Sequence, residues 1–307
     1  MIVAEVVRSG FVESVHHGSV VVLDAAGLVL AQAGDVVVPV FPRSSSKPLQ
    51  TVGMLRAGLI PRAEADLSLI SGSHFGEMFH VQRAVAILAA AGLTPAELRC
   101  PPALPLAETA RDERLRAGGG PERIYMNCSG KHSGMLATCV ANDWPLESYL
   151  GAEHPLQALI AGAVAELTGE PIAATGVDGC GTPVFAFSLT GLARALQRLV
   201  EAAPGTDERR VADAMRAAPE LVAGSGADDT LLMAGVRGLV SKGGAEGVQV
   251  VAVPEVGAVA LKIEDGAMRA RMAVLRSALT RLGIDSPVAG DPVLGGGEPV
   301  GEIRATW

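Results

Sequence analysis

Aromatic residues make up only 3% of this 307-residue chain, charged residues 19%, and cysteine appears four times. Each scarcity excludes something. With 49% hydrophobic residues set against so little charge, the chain is no disordered tail, and its 37 Gly and 19 Pro fit neither a collagen nor a coiled coil. No apolar run reaches the roughly 18 residues that span a bilayer. The basic residues are few and scattered, and a net charge of −8 gives a nucleic acid or an anionic membrane nothing to hold. The opening segment Met1 to Ser14 carries Glu5, Arg8 and Glu13 and lacks the cationic-then-apolar order of a secretory signal. Four cysteines (Cys100, Cys128, Cys139, Cys180) without such a signal point to reduced thiols or a metal site, not a disulfide framework, and to a cytoplasmic protein.

What is present is a globular chain of Ala, Val, Leu and Gly, long enough to bury roughly three quarters of its unfolded surface. Ser19 to Leu23, a turn at Asp24-Ala25-Ala26-Gly27 and Leu28 to Ala31 read as a hairpin, and Val36 to Val40 as a further strand. Apolar residues recur with helical spacing at about residues 78–91, 131–142, 154–168, 189–202, 207–217 and 268–282. Val248 to Val253 and Ala258 to Ile263 read as a second hairpin, followed by a terminal helix. Strands near both ends with helices between predict an α+β fold, in which one antiparallel sheet is assembled from both termini. The chain is expected to form one catalytic domain over 1–307, with residues 1–42 and 236–307 supplying the sheet and 43–235 mainly helical.

Ser44 and Lys47, three residues apart at a strand-to-helix junction, fall on one side of a single turn. A serine hydroxyl needs a base within reach, and a lysine depressed by burial or by a neighbouring cation serves as one. A capping serine beside a solvated lysine is the bland alternative. Pro48 disfavours α geometry at Lys47, so a 3₁₀ turn is expected there. Cys128, with Lys131 and His132 just after it, and Cys180 further along form either a buried pair of structural thiols or a tetrahedral zinc site. Cys100 and Cys139 look inert. Ser71-Gly72-Ser73-His74 follows an apolar run, Leu67 to Ile70, that reads as extended. Lys242 is followed by Gly243 and Gly244, which let another backbone approach closely.

In order, a hairpin, SxxK at a helix start, a helical insertion and a Lys-Gly-Gly strand resemble the serine β-lactamases and glutaminases. The match to β-lactamases themselves is poor, since a Ser-Asp-Asn triplet is missing. Nearly the whole chain resembles the rhizobial-type L-asparaginase (asparaginase II) family. The resemblance lies in Arg43 to Gln50, Ser73-His74-Phe75-Gly76-Glu77, Cys128 to Met135, Gly176 to Gly181, Lys242 to Gly247 and Leu261 to Gly266. It implies an amide hydrolase that converts asparagine to aspartate and ammonia with two Ser-Lys pairs. These fall on Ser44 with Lys47 and on Ser73 with Lys242, with Lys262 as the rival partner of Ser73. It also implies a zinc ion held by Cys128, Cys180, Lys131 and a water, and a homodimer.

Arg43 and Asp178 are the candidates to grip the α-carboxylate and α-amino group by opposite charge. His132 joins them as a substrate contact, and it is also the ordinary substitute for Lys131 on a metal. Two departures are noted: Ser46 adds a hydroxyl that competes for Lys47, and Ile70-Ser71-Gly72 changes the pocket wall. The alternatives are a glutaminase or another small-amide hydrolase, a zinc-water hydrolase, and an inactive amino-acid-binding protein.

Overall fold

A computed structural model describes all 307 residues, Met1 to Trp307. The chain forms ten strands and ten α-helices. Strands β1 (Ile2–Arg8), β2 (Phe11–Asp24) and β3 (Val29–Ala33) open it, and helices α1 (Lys47–Arg56), α2 (Glu64–Ile70), α3 (Met78–Ala90), α4 (Glu108–Arg116), α5 (Ser129–Ala141) and α6 (Pro155–Thr168) follow. A small hairpin, β4 (Ala174–Val177) and β5 (Pro183–Ala186), precedes α7 (Leu189–Glu201), α8 (Asp207–Ala217) and α9 (Asp228–Gly235). Strands β6 (Val240–Gly244), β7 (Val248–Val253) and β8 (Gly257–Ile263), helix α10 (Arg271–Arg281) and strands β9 (Pro292–Gly295) and β10 (Glu298–Ala305) complete it.

The large sheet is antiparallel throughout and runs β6-β7-β8-β2-β1-β10-β9, with β3 also on β2. Its strands come from both ends of the chain, and the expected α+β architecture is what the molecule has. Every residue of β6 and β7 is buried. A run such as Val248 to Val253, apolar except for Gln249, suits a strand covered on both faces, and α7 and α10 both pack on the sheet. The 14-residue β2 holds β1 with its first half and β3 and β8 with its second. Gly18 sits at the crossing, where a Cβ would come within 2.5 Å of the Lys262 carbonyl and 2.9 Å of Val3.

In the helical half, α1 is buried from Lys47 to Leu55 and packs closely on α6. The Cα of Ile160 lies 2.9 Å from where a Cβ on Gly53 would sit. No helix is long and apolar enough to cross a membrane.

Three expectations are corrected. Val36 to Val40 is not a strand: the Asp35 carboxylate accepts the N–H groups of Val37 and Val38, so the chain bends, and only Val40 bridges to Phe187. Leu67 to Ile70 is the buried end of α2, because a short apolar run does not by itself distinguish helix from strand. Asp66 starts that helix by accepting from the N–H groups of Arg62 and Ala63. The terminal helix is followed by a hairpin whose outer partner is β1. Helices α4 and α9, strand β1 and the small β4–β5 hairpin were not anticipated as elements.

Candidate active site

The SxxK segment forms a 3₁₀ turn, Arg43–Ser46, running directly into α1. Pro48 occupies the first turn of α1, where its missing N–H costs nothing. Each neighbour of Ser44 is tied locally. Ser45 donates to the Pro42 carbonyl at 2.6 Å, and Ser46 donates to the Arg43 carbonyl at 2.9 Å while accepting from Gln50 at 3.2 Å. Ser46 is therefore engaged along its own turn and does not compete for Lys47. The half-buried Ser44 lines a cleft, and its hydroxyl takes no part in this local set of bonds. Arg43 holds a left-handed backbone (φ +54°), a conformation that costs free energy in a non-glycine residue and clusters at functional sites.

Lys47 is 1% exposed. Its ammonium group donates to the Gly72 carbonyl at 2.5 Å and reaches the Ser73 hydroxyl at 3.0 Å. The Ser-Lys contact in this structure is therefore Lys47 with Ser73, a pairing that crosses the two expected ones. Ser73 stands on an extended segment laced to its surroundings: its own N–H donates to the Val222 carbonyl, that of His74 to Asn127 and that of Phe75 to Ala223. Gly72 makes this approach possible, since a Cβ there would come 2.7 Å from the Val222 carbonyl oxygen. His74 is fully buried; its Nδ1 accepts from the Gly76 N–H and its Nε2 donates to Ser129. Burial, His80 and Lys47 hold it well below the ordinary imidazole range, so it is neutral.

Ser44, Ser73 and Lys242 line the same cleft of about 250 Å³, together with Asn127, Asp228, Asp229 and Arg271. Lys242 is 1% exposed and donates to the Gly243 carbonyl at 2.6 Å. Burial pushes its ammonium group down to about 8, with Lys47 and Arg271 pushing the same way and Asp229 opposing them. Asp229 is itself held below the usual carboxylate range: burial works against its charge, but Lys242, Arg271 and the hydrogen bonds of Ser241 and Gly243 outweigh it.

β6 is the edge strand, and its glycines let it lie against the SxxK turn. A Cβ on Gly244 would sit 2.6 Å from the Pro42 carbonyl oxygen and 3.2 Å from the Ser45 nitrogen. Gly244→Ala is therefore expected to push the turn away from the strand and to destabilise the protein by about 1–3 kcal/mol, read from urea unfolding. Unchanged stability would show that the turn yields freely.

The other expected residues lie elsewhere. Arg43 and Asp178 bind each other at 2.8 Å, with Glu246 3.7 Å from Arg43, and neither is among the cleft-lining residues. Lys262 donates to the Glu246 carbonyl at 2.9 Å and does not line the cleft, so its rival role is set aside. His132 is fully buried, with Nδ1 2.7 Å from the Tyr149 hydroxyl, and it does not line the cleft.

The buried Cys128 thiol donates to Asn127 Oδ1 at 3.1 Å. Lys131 donates to Cys180 at 3.2 Å and to the Thr182 hydroxyl at 2.8 Å. The neighbouring Cys128 thiol, Lys131 and His132 draw the Cys180 thiol far down toward thiolate, and Cys180, with burial, pushes Cys128 up. No three His, Cys, Asp or Glu side chains converge on a common point. Burial raises Cys100 to about 11 and Cys139 to about 12, as expected of inert thiols.

Sequence reasoning missed Asp228, Asp229, Arg271 and Asn127. The available signal for the first two was a pair of adjacent acids opening a helix just after the Gly224-Ser225-Gly226 segment. Arg271 comes from the terminal helix and carried no signal.

A family model described as L-asparaginase II matches residues 4–305 of the chain. A search of curated proteins finds no match. Among solved structures, the fold is similar to Mglu in its native form, with a TM-score of 0.45 and 13% identity, covering 87% of this chain and 62% of that one. It is similar also to a β-lactamase from Mycobacterium bovis (TM-score 0.43, 15% identity, covering 87% and 95%). A third similar structure is EstCE1, a hydrolase with promiscuous acyltransferase activity (TM-score 0.47, 13% identity, covering 86% and 93%). The chain thus spans 62% of the length of Mglu.

Proposed function

Because the chain belongs to the L-asparaginase II family, and is on that ground an amidohydrolase of a small-molecule amide, we propose that it hydrolyses L-asparagine to L-aspartate and ammonia by serine acyl transfer. The observation that carries this reading is the 3.0 Å contact of Lys47 with Ser73, in a cleft that Ser44 and Lys242 also line. Ser44 is the nucleophile. Its oxygen bonds to the carboxamide carbon while its proton leaves to the amine of Lys242, the lysine that lines the cleft. As the C–N bond breaks, that proton passes to the departing nitrogen to give ammonia. Water then attacks the acyl-serine ester, releases aspartate and returns the proton. Lys47, on the same turn as Ser44, bonds to Ser73, and burial pushes the Lys242 ammonium group down to about 8.

A second reading takes Ser73 as nucleophile, and the same 3.0 Å contact favours it. Both pass through an acyl-enzyme. The test is ammonia release from L-asparagine and L-glutamine with hydroxylamine present. An acyl-enzyme partitions into the hydroxamate of aspartate, whereas free aspartate as the only product would favour direct attack by water. Asparagine is expected to exceed glutamine by about 10- to 200-fold, the worth of one methylene. The reverse order would make the protein a glutaminase.

The family resemblance adds zinc, and the donors fit it. Two buried sulfur atoms, one drawn toward thiolate, face a lysine nitrogen, and the Nε2 of His132 is buried beside them without a hydrogen-bond partner. Cys128, Cys180 and Lys131 would hold the ion, which would fix the wall behind Asn127 by its charge. Purified protein is expected to carry about one zinc per chain by elemental analysis and to lose it in Cys180→Ser; metal-free, fully active wild-type protein would remove zinc from the proposal. Four unpaired cysteines support a cytoplasmic setting. A homodimer is proposed from the resemblance, and light scattering at the monomer mass would overturn it.

A further inference from the structure

Asp229 is the second residue of α9 and is 7% exposed. Its side chain turns away from its own helix. Oδ1 accepts from the Ser241 hydroxyl at 2.7 Å and the Gln249 amide at 2.8 Å, and Oδ2 accepts from the Gly243 N–H at 2.8 Å. Those donors tie α9 to the edge strand β6 and its neighbour β7. Because β6 has no strand beyond it, the Gly243 N–H would otherwise be a buried orphan, and Asp229 satisfies it.

Three donors on two oxygens call for a carboxylate, since the NH2 of an amide would face one of them. Burying a full negative charge is costly unless something nearby needs it. Lys242 supplies that need: Asp229 Oδ2 stands 3.9 Å from its Nζ, too far for a hydrogen bond and close enough for strong attraction in a dry site. The other charged or titratable groups acting on Lys242 are Lys47 from α1, Arg271 from α10 and Cys128 at the start of α5. Asp229 is the carboxylate set against two cations. The glycine at 243 belongs to the same design, since a Cβ there would crowd Arg271 and come 3.3 Å from Asp229 Oδ2.

We propose that Asp229 is a positioning residue: it holds the Lys242 amine at the floor of the cleft and sets the charge that amine carries. The proposal rests on reading Lys242 as a proton carrier in amide hydrolysis. Burial and the two cations push Lys242 down, and Asp229 alone among the side chains of α9 pushes back. Removing its charge must lower Lys242 further.

The experiment follows Lys242 directly, by carbon-13 labelling of lysine Cε and pH titration, with the Lys242→Arg spectrum assigning the signal. In Asp229→Asn the midpoint is expected to fall by about one pH unit or more, with the acid limb of kcat/KM for asparagine moving alongside and kcat changing more than KM. An unmoved midpoint overturns the proposal and leaves Asp229 a structural tie. Should Asp229→Asn not fold, Lys242→Met reads the same coupling from the other side, because coupling between two titrations is reciprocal. The Asp229 carboxyl is then expected to titrate at higher pH than in the wild type, and no change would again overturn the pairing. Coupled titration in a wild-type protein that releases no ammonia from asparagine would sink the hydrolase reading while upholding the pairing; hydrolysis without coupling would sink the positioning role alone.

Discussion

Ser44→Ala is expected to abolish ammonia release from L-asparagine, lowering kcat by at least about 10³-fold, with a thermal midpoint close to that of the wild type. The two halves of this expectation have separate physical grounds. Ser44 is half-buried against the cleft, and the bonds around it belong to Ser45, Ser46 and Lys47, so its removal leaves no buried donor unmatched.

Ser73→Ala should behave differently. The Lys47 ammonium, itself buried, loses the half-buried Ser73 oxygen it reaches at 3.0 Å. A loss of about 1–3 kcal/mol of stability should accompany a fall in kcat of about 10²-fold. Mass spectrometry of protein quenched during turnover reads the acyl adduct directly: it should sit on the peptide containing Ser44 in the wild type and persist there in Ser73→Ala. An adduct on Ser73, or a Ser44→Ala protein that turns over at the wild-type rate, would transfer the nucleophile's role.

The structure explains why some of this could be read from residues and some could not. Helices α3, α5, α6, α7 and α8 follow from apolar spacing because each lays one stripe on a single core. The hairpins β2–β3 and β7–β8 follow from β-branched runs broken by turn residues. The Val36 to Val40 segment fails the same test because one side chain, Asp35, captures the N–H groups a ladder would need. Strand β1 carries charge at Glu5 and Arg8 and pairs with a strand nearly three hundred residues away, a partner that no local pattern can announce.

In the cleft, residues inside recognisable segments were legible, namely Ser44, Lys47, Ser73 and Lys242. Which lysine touches which serine was not. Sequence spacing suggested Ser44 with Lys47 because they share a turn, yet the long lysine side chain leaves that turn for the Gly72 carbonyl and Ser73. Asp229 and Arg271 are brought in by α9 and α10, elements whose own sequences advertise only packing.

Lys242→Met should be nearly as damaging as loss of Ser44, and its pH dependence identifies the reason. An amine that accepts a proton must first be neutral. With Lys242 held near 8, wild-type kcat/KM should climb as pH rises through about 8 and level off above it. Lys242→Met removes that limb along with at least about 10³-fold of the rate, since no other group depressed into that range lines the cleft.

Stability should move in the opposite sense from a salt-bridge loss. The folded protein releases the Lys242 proton near 8, whereas the unfolded chain holds it to about 10.5, so this group destabilises the fold below pH 8 and its penalty fades as pH rises between the two values. Met fills similar space without a charge, and Asp229 keeps Ser241, the Gly243 N–H and Gln249. The variant should therefore lack the rise in urea stability that the wild type shows between about pH 8 and 10.5, while loss of the Gly243 carbonyl's donor and of one of the two cations facing Asp229 offsets the removed penalty at neutral pH.

Lys242→Arg separates the two effects. It retains a cation beside Asp229 that never becomes neutral, so the rate should stay low at every pH while the cleft remains folded. A Lys242→Arg enzyme with a wild-type pH profile would assign the alkaline limb to another group and return Lys242 to a purely electrostatic place in the cleft.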